Sequence, residues 1–373
     1  MVNVTSKNFF YVSAGQISGT ALQAIFYLIF ATLLEPDSYG QMSYFIALAG
    51  IFSVVSRFGL HYSAEIYQAK KKSDLANQTN TLFAIITSLA AIILLPINEY
   101  VALLSLGISF FTMSQYNLMG LKNYKKFAWT TILRGLLVVI LPISLYFVLE
   151  IPGILIGFAI SNFIGCFPFI VILKNNIKSL RGFKHNFKFL FHNFGVDIAI
   201  SIPWLVDKII ILPILGFFAV GIYQFNLQVL MALEIFPGII HMFLLSEESS
   251  GKSHKRINYF VISGMTTLVL ITIIISPYII NEFFPKFSEG IRSLQILVIS
   301  IIPLSIASIL NAKLQSQESS KIGYSGIVRI ISLMGFMLLF GNLYGLIGVS
   351  IAVLLSVIFY TIFLSVLYYK KNI

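Results

Sequence analysis

Apolar runs of about 20 residues recur along the whole chain, separated by short polar segments. A run of that length crosses the ~30 Å hydrocarbon core of a bilayer as an α-helix. The ~10-residue alternating segments of a membrane β-barrel are not seen. The pattern predicts an all-α integral membrane protein with twelve transmembrane helices. The predicted helices are residues 9–33, 40–60, 78–97, 100–120, 128–149, 153–173, 191–215, 219–245, 257–280, 291–312, 322–340 and 344–369.

Composition supports this prediction. Hydrophobic residues make up 58% of the chain and charged residues only 10%, whereas soluble domains have roughly 25% charged residues. Because twelve spans leave only short loops, a large catalytic domain outside the membrane is excluded. The single cysteine, Cys166, excludes a disulfide framework and a cysteine zinc site. We therefore expect no metal and no cofactor.

Positive charge is concentrated in alternate loops. Lysines and arginines cluster at 70–72, 122–126, 174–188 and 252–256, while the intervening loops carry mainly glutamate and aspartate. Cytoplasmic loops of membrane proteins are rich in Lys and Arg, so this alternation predicts that both termini are cytoplasmic. The net charge of +11 then reflects topology and attraction to anionic membrane lipids, and a nucleic-acid partner is not expected.

A short motif is repeated in the two halves of the chain. Lys126–Arg134 reads KFAWTTILR and Lys321–Arg329 reads KIGYSGIVR, with the same spacing from lysine to arginine. A weaker pair joins Ser38–Gly40 with Gly221–Tyr223. The motifs begin predicted spans five and eleven, as expected for parallel repeats in a transporter.

The repeat predicts two pseudo-symmetric halves of six helices. The expected divisions are an N-terminal half at 1–173, a basic amphipathic cytoplasmic linker at 174–190 and a C-terminal half at 191–373. Substrate sites of repeat transporters lie near mid-membrane, at the interface of the repeats.

Ionisable residues within predicted spans are candidates for function, because a charge in the bilayer is costly. Arg134 and Arg329 each lie ~12 Å beyond the lysine at the cytoplasmic boundary, near mid-membrane. They are expected either to bind an anionic group, phosphate above all, or to form salt bridges with Asp197 and Glu234. Arg57 lies nearer the cytoplasmic end, where its side chain is able to reach the membrane surface.

The acidic residues within predicted spans, and Lys208 beside one of them, also have candidate roles. Asp197 and Glu234 are candidates for binding a coupling proton or sodium ion. Asp207 and Lys208 are placed towards the outer end of span seven, as an outer gate or as structural charges. Adjacent helical residues point ~100° apart, so we do not expect these two to pair with each other.

Three segments resemble polysaccharide exporters. Leu33–Leu60 is similar to their connection between spans one and two, Val206–Val229 to their region of spans seven and eight, and Asn342–Ser356 to the start of their last span. The chain is identified as a member of the multidrug/oligosaccharidyl-lipid/polysaccharide superfamily. Within it, the chain most resembles the Wzx-type flippases of O-antigen and related glycans.

This resemblance implies a MATE-like fold and a non-enzymatic flippase. The implied substrate is an undecaprenyl-diphosphate-linked oligosaccharide, such as an O-antigen unit of lipopolysaccharide, moved to the outer leaflet of the bacterial inner membrane. Arg134 and Arg329 would receive the diphosphate, with Arg57 as a guide. Glycan polymerases and glycosyltransferases are the implied protein partners.

The residues themselves leave two alternative functions open. A multidrug exporter of the same superfamily would favour an acid-rich cavity for cations, whereas the spans here have a small excess of basic residues. An integral-membrane glycan polymerase or glycosyltransferase would need a charged cluster on an outer loop. The longest predicted outer loop, 281–290, has only Glu282, Lys286 and Glu289.

Overall fold

The computed structural model describes residues 2–174, 187–249, 255–316 and 322–371, and these residues are almost entirely α-helical. Two short 3-10 helices, Ile202–Trp204 and Pro285–Gly290, interrupt the α-helical pattern. The predicted linker at 174–190 lies mostly outside the described residues. The α-helices are α1 (Val2–Leu33), α2 (Pro36–Arg57), α3 (Leu60–Ala69), α4 (Ser73–Leu94), α5 (Glu99–Gly120), α6 (Tyr124–Phe163), α7 (Cys166–Lys174), α8 (Phe187–Ser201), α9 (Val206–Ser249), α10 (Lys255–Phe283), α11 (Ile291–Ile299), α12 (Ile301–Ser316) and α13 (Ile322–Lys371).

Eight segments of the described chain are long and apolar enough to cross a membrane. Three of them, Tyr124–Ile170, Phe189–Pro237 and Tyr324–Tyr369, have 47, 49 and 46 residues. Each is long enough for two crossings of ~20 residues. The 22-residue helix α5 is a further predicted span that lies outside these eight. The protein is therefore a multi-pass membrane protein, while the number of twelve spans and the cytoplasmic termini remain predictions.

Two of the long segments are helical hairpins. Glu150 in α6 has φ 55° and ψ −135°, and Gly345 in α13 has φ 59° and ψ −138°. After each break the chain folds back, so that Gly153 contacts the backbone of Leu145 and Gly348 contacts that of Phe340. Residues eight apart in a continuous helix would be ~12 Å apart. These contacts therefore show a reversal of direction at Glu150 and at Gly345.

The two hairpins share one sequence offset. Glu150 and Gly345 are 195 residues apart, as are Gly153 and Gly348 and the repeated arginines Arg134 and Arg329. The offset applies to the sequence motif, the backbone break and the close helix contact alike. The structure thus extends the short sequence repeat into a repeat of local backbone geometry.

The described helices form two compact units. Unit 1 contains Met1–Ile29 and Phe45–Leu205, and unit 2 contains Phe30–Tyr44 and Val206–Ile373. By compactness, α8 thus belongs with unit 1, although it begins within the predicted linker and extends into the predicted C-terminal half. The division into six-helix halves was drawn from the sequence repeat, and it stays a prediction.

Unit 1 has a core to which α8 contributes. Buried Leu60 and Ala64 of α3 pack with Phe83, Met113 and Phe169, and Leu190 of α8 completes this cluster. Each of these side chains is almost fully buried, so the group excludes both lipid and water. Through this cluster, α8 packs against α3, α4, α5 and α7.

Unit 2 brings together the weaker pair of repeated motifs. Gly40 of α2 lies against Phe217, and Gly221 lies against Pro36, so the two contacts are reciprocal. Gly40 and Gly221 also face each other directly. Glycines allow the helix backbones to approach this closely, as in other membrane helix pairs.

We expect substitutions at the two hairpin breaks to have opposite effects on stability. Glu150→Gly should raise the midpoint of thermal unfolding in detergent, because a residue with a Cβ is strained by about 1–3 kcal/mol in this backbone conformation. Gly345→Glu places the same side chain at the corresponding position and should lower the midpoint. Midpoints that shift in the same direction for both variants would contradict the strain assigned to Glu150.

Candidate functional site

The repeated arginine of unit 1, Arg134, lies in the first half of α6. The side chain of Asn123 accepts a hydrogen bond from the backbone N–H of Lys126, at 3.3 Å, and caps this helix. The cap places Lys125 and Lys126 in the first turn, where they are exposed. Arg134 follows two turns later and is half-buried. The local sequence thus positions exposed lysines at the helix start and an arginine deeper in the apolar segment.

Neutral groups hold the Arg134 guanidinium. Its Nε donates to Oδ1 of Asn162 at 2.9 Å, and its Nη1 donates to Oε1 of Gln23 at 3.3 Å. The Asn162 amide is oriented by its own Nδ2, which donates to the carbonyl of Phe158 at 2.7 Å. The guanidinium carbon lies 4.9 Å from the ring centroid of Phe111 and 5.8 Å from that of Phe158.

These contacts stabilise the charge without neutralising it. Amide oxygens and aromatic faces attract a cation, and a cation–π contact is worth about 0.5–2 kcal/mol. Among the described residues, no carboxylate lies within salt-bridge distance of Arg134, and its Nη2 donates no hydrogen bond. Arg134 is therefore a partly buried positive charge with an unused donor edge.

The second repeated arginine, Arg329, has different surroundings in unit 2. Its guanidinium carbon lies 5.8 Å from the ring centroid of Tyr360, whose hydroxyl accepts a hydrogen bond from Asn311 at 2.6 Å. Arg329 also interacts electrostatically with Glu234 of α9. The two arginines thus correspond in sequence but not in charge environment. Their predicted meeting at one substrate site stays a prediction, as does an ion-binding role for Glu234.

Arg57 forms a buried ion pair with Asp197 in unit 1. Its Nη2 lies 3.3 Å from Oδ2 and 3.4 Å from Oδ1 of Asp197, and both residues are buried, at 6% and 2% exposure. Its Nη1 donates to Ser53 and Thr112, each at 3.1 Å. The Arg57 side chain therefore does not extend to the membrane surface. Asp197 is engaged by Arg57, not by the deeper arginines.

His61 also faces this carboxylate. Its Nδ1 lies 3.9 Å from Oδ2 of Asp197. His61 belongs to α3, which lies between two candidate spans and outside both. Burial, and then the nearby Arg57 guanidinium, hold the pKa of His61 well below its ordinary value. The imidazole is therefore neutral, and Arg57 is the cation that balances Asp197.

The adjacent charges of span seven form a pair, contrary to our expectation. Nζ of Lys208 lies 3.0 Å from Oδ1 of Asp207, and the same oxygen accepts the backbone N–H of Lys208 at 2.8 Å. The prediction that adjacent residues would not pair was wrong because Asp207 lies at the start of α9, directly after the 3-10 helix Ile202–Trp204. In this first turn the carboxylate folds back onto the helix start, and the long lysine side chain reaches it. Whether the pair serves as an outer gate remains a prediction.

Several partners were not singled out from the sequence. The sequence did not indicate Gln23 and Asn162 as partners of Arg134, and the aromatic pair Phe111 and Phe158 gave no signal in so aromatic a chain. His61 lies beyond the end of its predicted span. In the described ranges, no group of three or more His, Cys, Asp or Glu residues is arranged to hold a metal ion.

Comparison with known proteins identifies the class. The model of the family described as polysaccharide biosynthesis protein matches residues 5–245. An uncharacterized membrane protein of Methanocaldococcus jannaschii is 25% identical, over 98% of this chain and 99% of that protein. Lipid II flippase MurJ in an inward closed conformation has a TM-score of 0.72 at 18% identity, covering 95% of this chain and 86% of that one. An inward-facing multidrug resistance MATE family transporter of the MOP superfamily has a TM-score of 0.74 at 14% identity, covering 95% and 94%.

The fold is that of membrane flippases and transporters of the MOP superfamily. The chain belongs to the polysaccharide biosynthesis protein family, whose model covers well over half of its length. The resemblance found in the sequence is thereby confirmed at the level of the family and of the fold. The two solved structures are named as a flippase and a transporter. That this chain is not an enzyme stays a prediction.

We expect strong coupling between Arg57 and Asp197 in stability. Asp197→Asn or Arg57→Met alone should destabilise unit 1 by about 3–5 kcal/mol, because each leaves a buried charge without its partner. The double variant should lose much less than the sum of the two. Thermal unfolding of all four proteins in detergent measures this coupling.

The exposed pair of Lys286 and Glu35 is the matched control. Their charged atoms lie 3.0 Å apart, compared with 3.3 Å for Arg57 and Asp197, and their side chains are 37% and 69% exposed. Exposed pairs contribute about 0–1 kcal/mol, so Lys286→Met should have little effect. Additive losses at Arg57 and Asp197 would show that the buried pair does not act as a unit.

Proposed function

We propose that this membrane protein is a flippase for an oligosaccharide carried on a lipid diphosphate. It moves the lipid from the cytoplasmic to the outer leaflet by alternating access. The family match and the fold support a flippase or transporter, and the family description supports a substrate from polysaccharide biosynthesis. The solved flippase of similar fold is named for a lipid substrate, which favours a lipid over a free sugar.

The observation that carries the substrate class is the charge of Arg134. A cation away from water is stable only with compensating negative charge or strong hydrogen bonds. Gln23 and Asn162 supply neutral oxygens, and Phe111 and Phe158 supply aromatic faces. The missing component is an anion, and phosphate oxygens suit the donor edge of a guanidinium. A lipid diphosphate would bring that charge together with the cargo.

The basic residues predicted from sequence receive different roles in this proposal. Arg134 is the primary contact for the diphosphate, and Arg329 is a second contact in unit 2 whose charge is shared with Glu234. Arg57 is a weaker candidate for a guide, because Asp197 already engages it. Asp197 and Glu234 both stay candidates for coupling to a proton or sodium ion, since each interacts with an arginine.

The same proposal includes the identity of the lipid, the cargo, the membrane and the protein partners. The lipid is undecaprenyl diphosphate, the cargo is an O-antigen or other surface-glycan unit of lipopolysaccharide, and the membrane is the bacterial inner membrane. Glycan polymerases and glycosyltransferases are the partners that consume and supply such a substrate. Membrane lipids surround the apolar exposed faces of the helices.

A multidrug exporter is the second candidate, since a MATE family transporter shares the fold. An exporter of cationic drugs needs a carboxylate that is free to meet its substrate. Here Asp197 is paired with Arg57, Asp207 with Lys208, and Glu234 interacts with Arg329. These three acids are thus engaged internally, while Arg134 lacks an acid. This distribution favours an anionic substrate.

We expect Arg134→Gln to slow flipping of a lipid-diphosphate oligosaccharide by about tenfold or more. Purified protein in liposomes with a fluorescent lipid-linked oligosaccharide allows the rate to be measured. Arg134→Lys keeps the charge but loses the planar donor edge, so its rate should be intermediate.

Lys125→Gln is the matched control because it removes the same charge from an exposed position on the same helix. It should flip the lipid at the wild-type rate. A wild-type rate for Arg134→Gln, at equal reconstitution, would contradict the proposal. Faster transport of a cationic drug than of the lipid diphosphate by the wild type would favour the exporter instead.

A further inference from the structure

The helical hairpin of α6 brings the amide of Asn162 to Arg134. Arg134 lies on the first arm of the hairpin and Asn162 on the second. The arms pack so closely that a Cβ added at Gly157 would lie 2.6 Å from the backbone nitrogen of Pro142. Further along the second arm, the short side chain of Asn162 therefore reaches across, and its Oδ1 accepts from Nε of Arg134 at 2.9 Å.

A second amide, that of Gln23, reaches Arg134 from α1. Gly19 of α1 lies against the side chain of Thr131 on α6, so these two helices are also in close contact. One turn further along α1, Oε1 of Gln23 accepts from Nη1 of Arg134 at 3.3 Å. Asn162 and Gln23 thus fix the plane of the guanidinium through Nε and Nη1, and neither of them bonds to Nη2.

The choice of an amide at position 162 decides the charge of the site. Asparagine and aspartate have the same shape, and the side-chain oxygen of either accepts a hydrogen bond from a guanidinium. An aspartate would make the bond stronger and would also compensate the positive charge. Burial makes an uncompensated charge costly, so an acid would satisfy Arg134 within the protein. Asn162 orients the guanidinium and leaves its charge for another anion.

Unit 2 contains the corresponding hairpin without this amide. By the offset of 195 residues, the position of Asn162 is occupied by Val357, which is buried. A valine side chain accepts no hydrogen bond, and Arg329 of this unit interacts with Glu234. The hairpin therefore forms with an apolar residue at this position. Its packing does not require Asn162, so the amide serves Arg134.

We infer that Asn162 is a specificity-determining residue, whose neutral amide holds the guanidinium of Arg134 in place and leaves its charge for a phosphate group on a lipid. Gln23 is a positioning residue of the same neutral character. Both act through Arg134 and need no contact with the lipid. An aspartate at position 162 would remove the preference of this site for anions. The inference rests on the proposed function only in taking Arg134 as the contact for the anion.

The first test measures the contact between the two positions without any lipid. Asn162→Asp should raise the midpoint of thermal unfolding in detergent by a few degrees, because the new carboxylate pairs with Arg134. In an Arg134→Gln background the same change leaves a buried carboxylate without a cation, so it should lower the midpoint. The sign of the shift therefore depends on Arg134.

Asn117→Asp is the matched control for this change. Asn117 is also a buried asparagine of unit 1, but it exchanges hydrogen bonds with Asn80 and not with Arg134. Asn117→Asp should therefore lower the midpoint equally in both backgrounds. If Asn162→Asp also shifted the midpoint equally with and without Arg134, the inference would be overturned.

The second test measures the charge preference of the site by native mass spectrometry in detergent. Polyprenyl diphosphate is compared with polyprenol, and phosphatidylglycerol with diacylglycerol. Asn162→Asp should weaken binding of the preferred phosphate lipid by about tenfold or more, although this variant is the more stable protein. Asn162→Val, which introduces the residue of unit 2, should lower the midpoint but keep more of the phosphate preference than Asn162→Asp. A merely structural role of Asn162 would rank the variants identically in stability and in binding.

The two phosphate lipids separate this inference from the proposed substrate. A wild type that prefers phosphatidylglycerol but not polyprenyl diphosphate, with the preference lost in Asn162→Asp, would support the role of Asn162 and contradict the proposed substrate. Unchanged binding of the preferred phosphate lipid by Asn162→Asp would overturn the role of Asn162 and leave the substrate standing. A wild type that prefers neither phosphate lipid over its neutral counterpart would overturn both.

Discussion

A charge inside an apolar membrane protein needs a compensating charge or polar partners, and this constraint organises the polar residues of both units. Arg57 is balanced by Asp197, and Lys208 is balanced by Asp207 at the start of α9. Arg329 interacts with Glu234. Arg134 differs from these, because amide oxygens, aromatic rings and the Tyr27 side chain, but no carboxylate, lie near it in the described part of the chain. The anion that would complete its surroundings is the link between the structure and the proposed substrate.

The repeat and the charge pattern together show that corresponding positions of the two units have different charge surroundings. The 195-residue offset places arginines, hairpin breaks and close helix contacts at corresponding positions. The surroundings then diverge, since Asn162 contacts Arg134 whereas Tyr360 and Glu234 lie near Arg329. Arg329 has a nearby acid, whereas Arg134 has none among the described residues. An anion would therefore bind mainly to Arg134 in unit 1.

Sequence reasoning succeeded where the signal is local. Apolar runs indicated membrane helices, and the spacing of Lys126 and Arg134 indicated a sequence repeat. The structure adds that each copy of the repeat is followed by a helical hairpin. It failed where partners are distant in the chain. Arg57 and Asp197 are 140 residues apart, and their pairing depends on α8 packing within unit 1. The pairing of Asp207 with Lys208 depends on a helix start that hydropathy alone does not reveal.

The binding of lipid anions to purified protein tests the role of Arg134 most directly. Native mass spectrometry in detergent compares a polyprenyl diphosphate with the corresponding neutral alcohol for the wild type, Arg134→Gln and Lys125→Gln. We predict that the wild type and Lys125→Gln bind the diphosphate in preference to the alcohol, and that Arg134→Gln binds it about tenfold more weakly. Equal binding of the diphosphate by all three proteins would contradict the assignment of Arg134 as the anion site.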